Sequence, residues 1–187
     1  KPIPSLQSID HEEKVIYLGT FSKSIAPSLR ISYMVLPLHL LKKYQESCSF
    51  YSTTVSKIQQ EVLREFIRGG YFGRHLNKMR GIYKNKHDFL VGELKKKNWV
   101  ENIAGDNAGL HVLVQVNTTL TEEEICKKAA ECGIRLMGIR EHYIHTPPEG
   151  RPVLLLGYGK PDEQEIQKGL EVLESIVLEN RIPLPLR

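Results

Sequence analysis

Apolar and polar residues alternate, then cycle, then alternate again along this chain, and each change of period marks a change of element. Residues 15–19 (VIYLG) and 29–36 (LRISYMVL) are short β-type runs. Between them lies TFSKSIAPS, rich in Ser, Thr and Pro, so this stretch reads as strand, loop, strand with Lys23 in mid-loop. Pro37 ends the second strand, and residues 38–47 read as a short helix. Hydroxyls within 52–56 suit N-capping, and the helix that follows runs to about Arg68, where Gly69 and Gly70 close it.

From 72 to 97 the pattern is helical. Phe72, Leu76, Met79, Tyr83, Leu90 and Leu94 recur at intervals of three, four or seven, which predicts one long amphipathic helix with Arg74, Lys78, Lys84 and Lys86 toward water. After Trp99 the elements shorten. Residues 110–116 (LHVLVQV) alternate as a strand, and 121–132 form a helix that Thr121 and Glu124 open as a capping box and Gly133 stops. Residues 134–139 and 153–158 are strands joined by a Pro- and Gly-containing loop, and 162–180 is the closing helix. This order predicts a compact two-layer α/β unit that begins near Trp99, which divides the chain into 1–98 and 99–187.

Composition narrows the classes. The 187 residues are 41% hydrophobic and carry a formal charge of +4 spread over scattered Lys and Arg, as in a soluble globular protein of one or two domains, with no basic stripe suited to nucleic acid. The densest basic run, Lys95 to Lys97, reads as a solvated helix end. Cys48, Cys126 and Cys132 show no metal-ligand spacing and read as reduced thiols in the cytoplasm. The longest apolar run, 31–41, is about half a membrane span by the roughly 20-residue rule and is interrupted by Pro37 and His39, so no membrane is expected. The amino terminus has no signal-peptide pattern and no Met, and the chain reads as a piece of something longer.

The chemistry concentrates in GTFSKSIAPSLR, residues 19–30. A lysine that forms an imine must spend time as a neutral amine, and partial burial between two strands moves Lys23 in that direction. Thr20 and Ser22 add hydroxyls, and Arg30 adds a planar, permanently charged fork, a donor set suited to a phosphate ester. On residue chemistry alone the alternative stays open: a Ser/Thr-rich turn with an exposed lysine and a strand-end arginine.

The T-F-S-K motif followed by Arg30 is similar to the lysine motif of fold-type I pyridoxal phosphate enzymes. The longer string GTFSKSIAPSLRISYMVLP resembles the aminotransferase-like domains of the MocR group of GntR-type transcription regulators. The likeness continues through residues 54–65, FIRGGYFGRHLNKMRGIY, GLHVLV and LLLGYG, and so covers nearly the whole chain. It implies the C-terminal part of an aminotransferase class I/II fold, with 1–98 from the large cofactor domain and its bridging helix and 99–187 as the small domain. It also implies pyridoxal 5'-phosphate as cofactor, Lys23 as the Schiff-base lysine, and Thr20, Ser22 and Arg30 as its phosphate ligands.

Two departures qualify that expectation. Ordinary aminotransferases carry a substrate-carboxylate arginine in the strand before the last helix, and Leu155 stands there in this chain. By the resemblance Arg140 takes that role for an amino compound, with Arg151 as second choice. The family's aspartate for the pyridine nitrogen, its ring-stacking aromatic and its Gly-rich phosphate loop lie upstream of the lysine and are not expected here. The resemblance further implies a homodimer whose pocket is shared between subunits, and DNA contact only through a winged-helix domain absent from this chain. Two functions remain: a ligand-sensing effector domain, which the Lys23 motif and Leu155 favour, and true aminotransfer from amino acid to keto acid. A cofactor-free binding module is a third. His142 and His145 lack a third zinc ligand, His75 is expected to pack, and His111 is expected in the core.

Overall fold

A computed structural model describes residues 3–107, 109–146 and 149–180. The chain divides into two compact units, Lys1–Met79 and Arg80–Arg187. The helix α4 (Tyr71–Lys95) contributes to both.

In the first unit, β1 (Tyr17–Thr20) and β2 (Ser32–Val35) pair antiparallel as a two-stranded ribbon. The segment between them is not the irregular loop expected. It folds as one helical turn, α1 (Phe21–Ser24), and a 3-10 turn at Pro27–Leu29, because Thr20 caps the first and Pro27 presets the second. Two helices follow, α2 (Leu38–Cys48) and α3 (Lys57–Arg68). Ser56 caps α3 by accepting from the Gln59 amide at 3.2 Å. Gly70, at φ 71°, supplies the left-handed residue that separates α3 from α4. Of this unit's described residues only Ile31 is buried.

The second unit holds a four-stranded antiparallel sheet in the order β3-β4-β6-β5. Its strands are β3 (Val100–Ala104), β4 (His111–Val116), β5 (Met137–Gly138) and β6 (Val153–Gly157). The helices α5 (Glu122–Glu131) and α6 (Glu163–Leu178) both begin with a complete capping box, at Thr121 with Glu124 and at Asp162 with Glu165. Period-2 burial along β4 and β6 sends Val112, Val114, Leu154 and Leu156 to one face. They meet Leu94 of α4, Ile125 of α5 and Leu170 of α6 in a single core cluster that also encloses Trp99.

The structure adds a strand that the sequence reading did not include and corrects three further expectations. β3 carries too few apolar residues to alternate visibly, because it is an edge strand exposed at three of its five positions. The strand expected over 134–139 pairs only at Met137 and Gly138. The Lys95–Lys97 run is not wholly solvated: Lys97 Nζ donates to Glu174 Oε2 at 2.7 Å, and Trp99 Nε1 donates to Glu174 Oε1 at 3.1 Å. This bracket ties the end of α4 to α6. His111 lies on the open face of the sheet and is exposed, not in the core.

Candidate functional site

The lysine motif is built by backbone bonding across the open end of the β1–β2 ribbon. Phe21 N donates to Ile31 O at 2.9 Å, and the Thr20 hydroxyl donates to the same carbonyl at 3.2 Å. Thr20 Oγ1 also accepts from Ser22 N at 3.2 Å, which makes it the N-cap of α1. Ser24 Oγ donates to Thr20 O at 3.2 Å, and Ile25 N to Phe21 O at 2.8 Å. Thr20, Ser22, Lys23 and Arg30 are thereby collected in one short segment closed on itself at Ile31.

Arg30 leaves the 3-10 turn at φ 49°, ψ 32°, in the left-handed region. An L-residue there costs roughly 1–2 kcal/mol. Such strain persists only where the surroundings over-determine it, and it concentrates at ligand sites. Lys23 and Arg30 are exposed, and neither has an ion-pair partner among the described residues. The partial burial expected of Lys23 is not found: Lys23 is exposed, and among this unit's described residues Ile31 alone is buried.

An aromatic bed supports the segment. The Tyr33 ring lies 6.0 Å from Tyr17 and 5.0 Å from Phe21, and Phe21 meets Phe72 edge-on at 5.9 Å. Gly19 pairs with Tyr33 across the ribbon, and a Cβ at Gly19 would overlap that ring. Burial, then a hydrogen bond with Tyr17, pushes the Tyr33 phenol above its ordinary pKa. The sequence showed Gly19 and Tyr33 only as strand residues. Their close approach depends on register, which the apolar pattern of the two runs does not encode.

Arg140 belongs to the second unit, where a 3-10 turn, Arg140–His142, follows β5. The buried carboxylate of Glu122 organises this corner. Its Oε2 accepts from Arg140 N and its Oε1 from Val153 N, both at 2.9 Å. Arg140 Nε lies 4.0 Å from Glu122 Oε1, and Nη2 donates to Gly150 O at 3.5 Å. A Cβ at Gly138 would collide with the Glu122 side chain. Glu122 was legible only as an acid in the first turn of a helix, so its second use was missed. Arg151, the second choice, is bonded to Asn117 Oδ1, just beyond β4, and paired with Glu101 on β3. Leu155 sits on β6 opposite Leu113 and Met137. His75 is half-buried, and His142 and His145 are exposed.

The sequence profile of aminotransferase class I and II matches residues 2–166. The chain belongs to this family. Members of the family are pyridoxal phosphate-dependent. The chain is 39% identical over 176 residues to the HTH-type transcriptional regulator YdeL of Bacillus subtilis (strain 168), covering 94% of this chain and 38% of YdeL. It is 30% identical over 190 residues to the probable rhizopine catabolism regulatory protein MocR of Rhizobium meliloti, covering 100% of this chain and 38% of that protein. Among solved structures it superposes on LysN, the alpha-aminoadipate aminotransferase of Thermus thermophilus complexed with N-(5'-phosphopyridoxyl)-L-leucine, at a TM-score of 0.78. That match is 23% identical and covers 96% of this chain and 46% of LysN. The chain therefore has the fold of the C-terminal part of an aminotransferase and spans less than half the length of these relatives.

Proposed function

We propose that this chain is the aminotransferase-like effector part of a transcription regulator of the MocR type, in which Lys23 carries pyridoxal 5'-phosphate and an amino compound is the ligand sensed. One observation carries the reading: Arg30 is held in a strained left-handed conformation, without a carboxylate partner among the described residues, seven residues from an exposed lysine. A guanidinium held out in this way suits a phosphate ester. The cofactor supplies an aldehyde that a primary amine captures, and this chain supplies that amine in Lys23.

The remaining roles follow from the donors available. Ser22 contributes a hydroxyl beside the lysine, and Arg30 the charged fork. Thr20 orients the turn through its cap on Ser22 N, and it reaches a phosphate oxygen by giving up its bond to Ile31 O. In this assignment residues 1–98 belong to the large cofactor domain and 99–187 form the small domain. Arg140, whose amide is held by Glu122, takes the ligand carboxylate, as the resemblance to the regulators implies, with Arg151 as second choice. The regulators among its relatives support a sensor over a transaminase, as does Leu155 at the position of the usual substrate arginine. The assembly is a homodimer, and DNA is contacted by a winged helix outside this chain.

Borohydride reduction of the protein mixed with pyridoxal phosphate, followed by peptide mapping, should tag Lys23, and tags that spare it would remove the cofactor assignment. In the loaded protein, Arg140→Ala should weaken binding of an amino-acid probe such as L-alanine by about tenfold or more while cofactor stays bound. Unchanged affinity moves the ligand-carboxylate role to another cation. Steady release of keto acid from an amino donor would replace the sensor with an enzyme.

A further inference from the structure

The second unit contains a cavity of about 580 Å³ that the reading above does not use. It opens where the sheet runs out of strand. β5 pairs with β6 only as far as Met137 opposite Leu155, so the continuation of β6 through Leu156 and Gly157 has no strand on that side. Instead the segment 133–136, coming from the end of α5, stands off from β6, and α6 closes the space. Leu90, Leu136, Leu155, Ile166 and Leu173 give the walls an apolar character. The volume falls in the range of roughly 300–1,000 Å³ typical of small-molecule sites.

The charges around it are one-sided. Arg135, Lys160 and Lys168 line the cavity, all three are exposed, and the side chain of none is engaged by a carboxylate among the described residues. The one lining carboxylate, Glu165, is already bonded to the Asp162 amide at 2.9 Å as part of the α6 capping box. Gly169 stands in the α6 wall, and a Cβ there would meet nothing within 4 Å. Glycine destabilises a helix interior relative to alanine, and here it leaves the wall open.

We infer that this cavity binds a small anion with an apolar body, of the class of aliphatic carboxylates. The tail lies against the leucines and Ile166, and the carboxylate accepts hydrogen bonds from some of Arg135, Lys160 and Lys168. An amine would meet three like charges, and a neutral alcohol would leave them unused. Every lining residue lies in the second unit, so the site stands independently of the Lys23 assignment.

The test uses the full chain and the fluorescence of its single tryptophan, Trp99, which is fully buried in the second unit's core and so reports the unfolding of that unit. Octanoate at ten times its Kd should raise the unfolding midpoint by about 6 °C, while octylamine and 1-octanol at equal concentration leave it unchanged. Combined replacement R135Q/K160Q/K168Q, at exposed positions, should weaken octanoate at least tenfold. Gly169→Leu should fill the space and abolish the shift, while Gly169→Ala keeps it. Three results would each overturn the proposal: no shift with millimolar octanoate, an equal shift with octanol or octylamine, or full response of both the charge-replaced and the Gly169→Leu proteins.

Discussion

The two units both carry capped helices and paired strands, yet their described residues bury apolar side chains very differently. In the first unit Leu18 is 72% exposed, Ile58 78% and Val62 64%, and only Ile31 is buried among the described residues. In the second, Leu94, Trp99, Val114, Ile125 and Leu154 are all at 0%. Local hydrogen bonding is therefore sufficient to draw the elements of the first unit but not to enclose them. A lone two-stranded ribbon is marginal in water, and its stability has to come from what is laid over it. The second unit has its own core and its own cross-braces. The lysine motif lies in the first unit, with Lys23 itself exposed.

Substitutions can break or sharpen this contrast. The largest effect belongs to Trp99→Ala, which should cost about 3–5 kcal/mol in denaturant unfolding followed by circular dichroism. A loss below about 1 kcal/mol would refute the placement of the core. Next, Glu122→Ala should cost about 2 kcal/mol, because it strands the amides of Arg140 and Val153 without their acceptor. Hydrogen exchange at those two amides should accelerate, and unchanged protection would sink the bracing role.

Glu174→Gln should cost about 1 kcal/mol. Lys97, and then Trp99, hold this carboxyl below its ordinary pKa against an opposing effect of burial. Since the folded pKa is the lower one, the stabilisation is complete above the ordinary carboxylate value of about 4.3 and fades as pH falls through the depressed one. The parent protein, followed by Trp99 fluorescence, should lose stability on that acid limb, and Glu174→Gln should flatten the loss.

In the first unit the effects shrink and one changes sign. Arg30→Gly should stabilise the ribbon by up to about 1 kcal/mol, because glycine occupies the left-handed region freely, while phosphate binding weakens. Slower exchange of the Phe21 amide, combined with poorer capture of pyridoxal phosphate, would show strain and function meeting at one residue. Leu18→Ser should change the unfolding of this chain by less than about 0.5 kcal/mol, since Leu18 is exposed. A larger cost would show that its apolar face is covered in solution.

Much of the architecture could be read from the residues, and the exceptions have physical causes. The helices over 38–48, 57–68, 71–95, 122–131 and 163–178 announce themselves through period, caps and terminal glycines. β3 did not, because a register shift between Val100 and Asn102 breaks its apolar alternation at the edge of the sheet. The 134–139 run looked like a strand throughout, yet it pairs only at Met137–Gly138 before the Glu122 carboxylate takes over the amides of Arg140 and Val153. The Lys23 segment could be located by its hydroxyls, lysine and arginine. That it folds as helical turns, with Arg30 left-handed, could not, since those conformations follow from closure on Ile31 O eleven residues beyond Thr20.

By itself the sequence determined the longer helices, with Ser56, Thr121 and Asp162 opening three of them as caps. These are local properties, fixed by neighbours within a few positions. Only the tertiary structure decided that Lys97 is paired, that His111 faces outward, that Glu122 braces a turn eighteen residues away, and that a strand stopping short leaves a cation-lined cavity. At these positions the outcome is settled by contacts between distant segments, which the local apolar pattern constrains without fixing.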